Sequence, residues 1–347
     1  MGVMRQLAVL LTVVVVITTF TTRSEGALPT NILEKVLMVN KKGPFLGLVV
    51  PNSFEMSPLL QSSKFVRSKR LPCLDFGGRR FRFGRVEKEK VIIVMTGLSM
   101  LNAGISTQLL LTLFDVKGVV HFGVAGNANP DLQIGDVTIP KYWAHTGLWN
   151  WQRFGDGPNA ELSFESSGDY TRTIGHLNFS DFDINKNDKN FGNSLNSVWY
   201  QPEEVFPVSG VPEVRERAFW VSVDHHYFAL SEKLEGMKLT RCINSTTCLK
   251  RIPVVKRVEG GCSANVFVDN AEYSQFLRSK FNVTPIDMES AAVALICLQQ
   301  QVPFIAVRAL SDLAGGGSSK SNEASVFGSL AAQNAVDAVT QFISLLA

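Results

Sequence analysis

The chain has 347 residues, 45% of them apolar and 19% charged, and a formal net charge of +3. Such a chain can bury a large core, and its length suits either two domains or one domain with a long insertion, the arrangement favoured here. A charge this small, with no dense Lys/Arg stripe interleaved with aromatics, argues against a nucleic-acid partner, and the basic residues Lys64 to Arg70 with Arg79, Arg80, Arg82 and Arg85 read as a solvated loop face.

At the N-terminus, Arg5 precedes the apolar run Leu7 to Phe20, and Ser24-Glu25-Gly26 supplies small residues for cleavage. This pattern predicts a signal peptide over residues 1–26 and entry into the secretory pathway. The run is shorter than the ~20 apolar residues that cross a bilayer. No other segment is long and apolar enough, so the mature protein from residue 27 is expected to be soluble, without a membrane partner.

Past the signal, Phe45 to Val50 follows Gly43-Pro44 as a short apolar strand. Val91 to Met95 is a second strand, and the turn Thr96-Gly97-Leu98-Ser99 leads into a helix with Leu109, Leu110, Leu111 and Leu113. Val119 to Phe122 is a third, running into a Gly-bearing turn at Gly123-Val124-Ala125-Gly126-Asn127. Strands separated by helical patterns predict an α/β fold, a parallel sheet in a three-layer sandwich. Two of the strands end in Gly-bearing turns, which let a ligand approach the backbone closely.

Between Trp143 and roughly Gly260 the alternation dissolves. Trp149 to Phe154, the polar run Asp181 to Asn193, and Pro202, Pro207 and Pro212 predict a loop-rich insertion at about residues 148–255, with short hairpins. A helix between Val221 and Leu239 would carry His225 and His226. The aromatics there either cap a ligand pocket or build a satellite core under the loops.

In an oxidising compartment the five cysteines can pair. Cys242 and Cys248 flank a short polar segment and are expected to form a disulfide, whereas Cys297, on the apolar face of a helix, reads as a buried thiol; Cys73 and Cys262 stay open. No metal site is expected, since the adjacent His225 and His226 cannot easily share one ion. Asn178, Asn244 and Asn282 each begin a glycan-acceptor pattern, the third weakened by Pro285 directly after it.

Near the C-terminus, the spacing predicts a helix from Met288 to about Gln300 with Asp287 as its N-cap, then a strand over Phe304-Ile305-Ala306-Val307 that ends at Ser311-Asp312. Ligands in open α/β sheets collect beyond the carboxyl ends of strands, which makes Asp312 a candidate site residue.

Taken in order, Gly47 to Val50 with Glu55, Thr96 to Ser99, Gly123 to Gly126, Leu132 to Val137, Ile286 to Ser290 and Val307 to Asp312 resemble the purine nucleoside and uridine phosphorylase superfamily. Within it, the chain is most similar to methylthioadenosine/S-adenosylhomocysteine nucleosidases and to plant bark and vegetative storage proteins. The resemblance covers about residues 44–147 and 255–345. It implies a mixed, mostly parallel sheet, a homo-oligomer, and a purine nucleoside as small-molecule ligand.

Cleaving the bond from ribose to a purine leaves positive charge on the sugar and negative charge on the base, so an acid for the base and a carboxylate for the attacking oxygen both help. By resemblance, Asp312 is the acid and Glu55 orients and deprotonates water. Glu289 would hold the ribose hydroxyls with Met288 against the sugar face, Phe267 would stack on the base while the backbone at Val268 reads its edge, and Gly97 and the backbone of Val124 would complete the site. The structural alternatives are a cap on the following helix for Asp312 with Arg308 as its salt partner, an exposed loop position for Glu55, a helix-dipole role for Glu289, and plain core for Phe267.

Phosphate-using members carry Arg where His121 stands and Ser where Val124 stands, and Asp287 replaces the usual Glu before the Met-Glu pair. Water therefore fits better than phosphate as the nucleophile, with phosphate the alternative co-substrate and no metal or organic cofactor implied. The leading expectation is a nucleosidase. The alternative is a vacuolar nitrogen-storage protein that keeps the fold with little turnover, and the destination is the cell exterior or the vacuole.

Overall fold

The computed structural model describes residues 28–153, 174–177, 198–315 and 323–346. The signal segment, Asn178, the polar run from Asp181 to Asn193 and the glycines at 316 and 317 lie outside the described residues. Helix α1 (Thr30–Asn40) belongs to a leading unit that ends at Lys41, and a second unit starts at Lys42.

In the second unit, β1 (Phe45–Val50) leads to α2 (Ser53–Gln61). Strands β2 (Phe65–Arg67), β3 (Cys73–Phe76), β4 (Arg79–Val86) and β5 (Glu89–Met95) precede α3 (Met100–Leu113). Then come β6 (Val116–Asn127), β7 (Val137–His145) and the short strands β8 (Trp149–Trp151), β9 (His176–Leu177), β10 (Val198–Tyr200), β11 (Glu203–Val205) and β12 (Glu216–Ala218). The chain continues through β13 (Trp220–Ser222), α4 (His225–Leu230), β14 (Val255–Ser263), α5 (Ala271–Phe281), β15 (Val283–Asp287), α6 (Ser290–Gln300), β16 (Phe304–Asp312) and α7 (Glu323–Leu346).

One mixed sheet of 11 strands runs in the order β13-β7-β14-β15-β6-β1-β5-β4-β2, with β3 on β4 and β16 joined to both β6 and β7. Because β16 links β6 to β7 while β15 links β14 to β6, those five strands close into a ring. The closure brings the ends of β15 and β16 to the same point on β6: Ile286 and Asp312 both register with Gly126.

Every residue of β1 is buried, which requires cover on both faces. Leu46, Leu48 and Val50 share a core with Ala331, Ala335, Val339 and Phe342 of α7. On the opposite face a Cβ at Gly47 would run into Leu110 of α3. Helices therefore flank the sheet on both sides, the three-layer α/β arrangement expected from the alternation of strands and helices.

Local differences have physical causes. Gly123 to Asn127 continue β6 instead of turning, because β16 pairs with Gly123 to Gly126 and β15 with Gly126 and Asn127, which satisfies their backbone groups. Helix α6 starts at Ser290, not Met288, and its N-cap residue is Glu289, not Asp287, since Asp287 is still the last residue of β15; Asp287 Oδ1 accepts the Glu289 and Ser290 N–H groups at 3.2 and 3.1 Å. The insertion returns early to the main core. From Trp220 on, β13 pairs with β7, and Tyr227 and Leu234 pack into the α7 cluster. Beneath the insertion, Tyr200, Phe219, Trp220, Phe276 and Phe281 build a satellite core.

Cys242 and Cys248 are joined in a disulfide, and Cys73, Cys262 and Cys297 are free, the last two buried. Asn244 is exposed between the bridged cysteines. Asn282 takes a left-handed φ of +53° to end α5, which accounts for an asparagine there without any glycan. Among the described residues no helix is long and apolar enough to cross a membrane, and no group of three His, Cys, Asp or Glu could hold a metal ion.

Candidate active site

The ends of β1, β6, β15 and β16 surround a hollow of about 190 Å³. Its walls include Glu55, Val124, Gly126, Phe267, Val268, Asp287, Met288, Glu289, Ser311 and Asp312. Residues far apart in the sequence therefore meet at one place. Gly97 is the exception: its φ of +85° and its N–H bond to the Pro51 carbonyl at 2.8 Å turn the chain so that Leu98, not Gly97, reaches the wall.

Glu55 does not sit in an exposed loop. Asn52 caps α2 by accepting the Glu55 N–H at 3.0 Å, and this first helical turn points the carboxylate inward, where Glu55 is only 2% exposed. Oε1 accepts the Val124 N–H at 2.6 Å, while Oε2 is buried with no hydrogen-bond partner. Burial pushes the Glu55 carboxyl up to about 7, against the opposing pull of Arg308 and of the Val124 N–H.

Beside it lies a fully buried cation. Arg308 donates from Nε to Asp287 at 2.7 Å and to the Ser290 hydroxyl at 3.0 Å, and its other nitrogens lie 3.8 Å from Glu55 and 3.9 Å from Glu289. Nη2 also meets Nε2 of His121. Guanidinium nitrogens only donate, so Nε2 must accept and the imidazole proton must sit on Nδ1, from which it goes to the Val49 carbonyl at 2.9 Å. Burial, then the Arg308 charge, holds His121 well below the usual histidine value, and the ring is neutral. His121 is therefore no cationic substitute for an anion-binding arginine.

Asp287 has its oxygens fully used. Besides Arg308 it accepts the Ser263 and Ser290 hydroxyls at 2.5 Å each, and Ser263 in turn accepts the Ala291 N–H at 2.9 Å. Glu289 accepts the Ser99 N–H at 3.0 Å, and burial followed by the neighbouring Asp287 charge raises its carboxyl above the ordinary range. Ser99 reaches it from a φ of +93°, a strained conformation for a residue with a Cβ. Asp312 is half-buried; it accepts the Ala314 N–H at 2.9 Å and the Ser311 hydroxyl at 2.8 Å. Phe267, 65% exposed, stands at the mouth and is not core, while Val268 behind it is buried.

Two glycines make room for this assembly. A Cβ at Gly123 would collide with Arg308 and Glu55, and one at Gly126 would come within 3.0 Å of Asp312. Sequence reasoning missed the centrality of Arg308 and the supporting roles of Ser263, Ser290 and Ser99. An arginine inside the apolar run Phe304 to Leu310 was the available signal; Ser99 and Ser290 fall within motifs already singled out, without a role, and Ser263 gave no signal.

The chain matches the pattern of the phosphorylase superfamily over residues 45–188 and 214–344. Bark storage protein A of Populus deltoides is 31% identical over 301 residues, 86% of this chain and 88% of that protein. A 5'-methylthioadenosine/S-adenosylhomocysteine nucleosidase of Shewanella denitrificans is 25% identical over 275 residues, 79% of this chain and 88% of that one. The solved futalosine hydrolase of Helicobacter pylori shares the fold, with a TM-score of 0.57 at 18% identity over 89% of this chain and 99% of that one. Pattern, relatives and fold agree, and this chain belongs to the phosphorylase superfamily.

Proposed function

We propose that the hollow cleaves the N-glycosidic bond of a purine-type nucleoside with water as the nucleophile. One observation carries most of the weight: Glu55 Oε2 is buried, unpartnered and on a carboxyl with a pKa of about 7. A base poised near the working pH is what proton removal from water needs. Water bound at Oε2 gives its proton to Glu55 as its oxygen bonds to the ribose carbon. The carbon–nitrogen bond breaks, and Asp312 donates a proton to the departing base. Glu289 holds the ribose hydroxyls, Met288 lies against the sugar, and Phe267 covers the base.

Phosphate fits less well. The Val124 N–H, the backbone donor an anion would need, is already bonded to Glu55, and His121 is neutral and spent on Arg308. Arg308 itself faces three carboxylates. The test incubates the purified protein with adenosine, inosine and methylthioadenosine, with and without phosphate, and follows base release. Release without phosphate supports hydrolysis; release only with phosphate overturns it.

The 31% identity to a bark storage protein favours a second reading, a storage protein that keeps the fold with little turnover. Absence of base release in every arm would decide for it. Under either reading the protein is a homo-oligomer delivered through the secretory pathway to the cell exterior or vacuole; the Cys242–Cys248 disulfide supports an oxidising destination.

A further inference from the structure

Of the basic residues read from the sequence as a loop face, Arg67, Arg79, Arg80, Arg82 and Arg85 lie on strands at the open edge of the main sheet, and Lys64, Lys69 and Arg70 lie in the turns beside them. Between Lys64 and Lys90 the sequence carries ten Lys and Arg against three Asp and Glu, a surplus of +7 in a chain whose total is +3. Strands β2 and β3 pair one after the other along β4, β2 with residues 84–86 and β3 with residues 79–82. The link between them is tied down at Phe83, which leaves Lys69 and Arg70 exposed on the rim. Arg67 is paired with Gly84, so the alternation of β4 sets Arg80 and Arg82 on the same face as Arg67, while Phe81 and Phe83 turn into the core.

The three acids of the segment are already engaged. Asp75 binds Arg80 through two bonds of 2.7 and 2.6 Å, Glu87 binds Lys64 at 2.6 Å, and Glu89 binds Lys117 at 2.7 Å. Arg67, Lys69, Arg70 and Arg82 form no ion pair among the described residues. Partial burial and then the charge of Arg80 hold the Arg82 guanidinium below its ordinary value, a sign of crowding by like charge.

We propose that this sheet edge docks a linear acidic polysaccharide, its guanidinium groups gripping the carboxylates of successive uronate units. Same-face residues on a strand are ~7 Å apart and neighbouring strands ~5 Å apart. Both spacings fall within the Debye length of ~8 Å at physiological salt, so the charges act as one field. A guanidinium accepts a carboxylate bidentately, and Asp75 on Arg80 is that contact already made within the chain. Nucleic acid fits less well, because no aromatic on these strands is exposed for base stacking. A bilayer fits less well too, since Val66 is the one exposed large apolar side chain on them. None of these residues lines the nucleoside hollow, so the two sites are separable.

The test measures retention of the full protein on immobilised polygalacturonate, on its methyl ester, on single-stranded RNA and on phosphatidylserine vesicles at physiological salt. Tight binding is expected on polygalacturonate alone. The triple variant Arg67→Gln, Lys69→Gln, Arg82→Gln should weaken it more than about tenfold with base release unchanged. The charge-matched control Lys233→Gln, Lys238→Gln, Lys256→Gln, on exposed residues elsewhere, should stay within about twofold. Equal losses in both triples, retention on the methyl ester, tighter binding of RNA or vesicles, or no binding at all would each overturn the proposal.

Discussion

Arg308 and His121 face each other in the interior, the guanidinium donating to a neutral imidazole whose other nitrogen is fixed on the Val49 carbonyl at 2.9 Å. The contact occupies Nη2, which also lies 3.9 Å from Glu289, and it leaves Nε for Asp287 and Nη1 facing Glu55. One buried cation thus organises three buried acids.

Removing that cation should be costly. With Arg308→Leu, Asp287 keeps two serine hydroxyls, but Glu55 and Glu289 lose the one opposing charge they have among the described residues. Breaking a buried ion pair from one side costs about 3–5 kcal/mol, and urea unfolding should show a loss of that size. A loss under about 1 kcal/mol would mean that the acids are neutral in the folded state and that Arg308 organises nothing.

Glu55 sets a pH dependence of both activity and stability. As the base it must be ionised, so kcat/KM should rise with pH and level off above about 7. For stability the sign is opposite. The folded carboxyl holds its proton between the ordinary value of 4.5 and about 7 while the unfolded one does not. The folded state thus binds more protons in that window, and stability present below 4.5 is lost as pH rises through about 7. Glu55→Gln should abolish the rising activity limb and flatten this part of the stability profile. An unchanged activity profile in the variant would remove Glu55 from the base role.

Gly123→Ala tests the close approach of β6 to the site. The added Cβ would strike Arg308 and Glu55, neither of which can retreat because both are buried and bonded. Overpacking of this kind costs about 1–3 kcal/mol, and displacing Glu55 should reduce base release at least tenfold. A fully active alanine variant would show that the carboxylate position is not critical.

Much of this was legible from local pattern. The apolar runs of β1, β5 and β16 and the small-residue helix α6 announce themselves because burial and helix periodicity act over a few residues. The pairing of β16 with both β6 and β7 does not, because it joins segments separated by 186 residues for β6 and 170 for β7. The same non-locality hid the use made of His121 and Arg308. Each is a polar residue within an apolar run, visible as an anomaly, but its partner belongs to another strand. Gly123 and Gly126 suggested a ligand turn; they are glycines because the side chains of Glu55, Arg308 and Asp312 lie over them.

Asp312→Asn separates catalysis from capping. The amide retains an oxygen for the Ala314 N–H, so the turn at 2.9 Å should survive and unfolding should be nearly unchanged. It cannot give up a proton to a leaving base, and base release from purine nucleosides should fall by roughly 100- to 10,000-fold with KM little altered. A riboside whose leaving group departs without protonation, such as p-nitrophenyl riboside, needs no acid. The variant should hydrolyse it within about tenfold of the parent rate, a far smaller loss than a lost acid brings on purine substrates. Equal losses on both substrates would assign Asp312 to holding the site together, and full activity on purine nucleosides would take the acid role from it altogether.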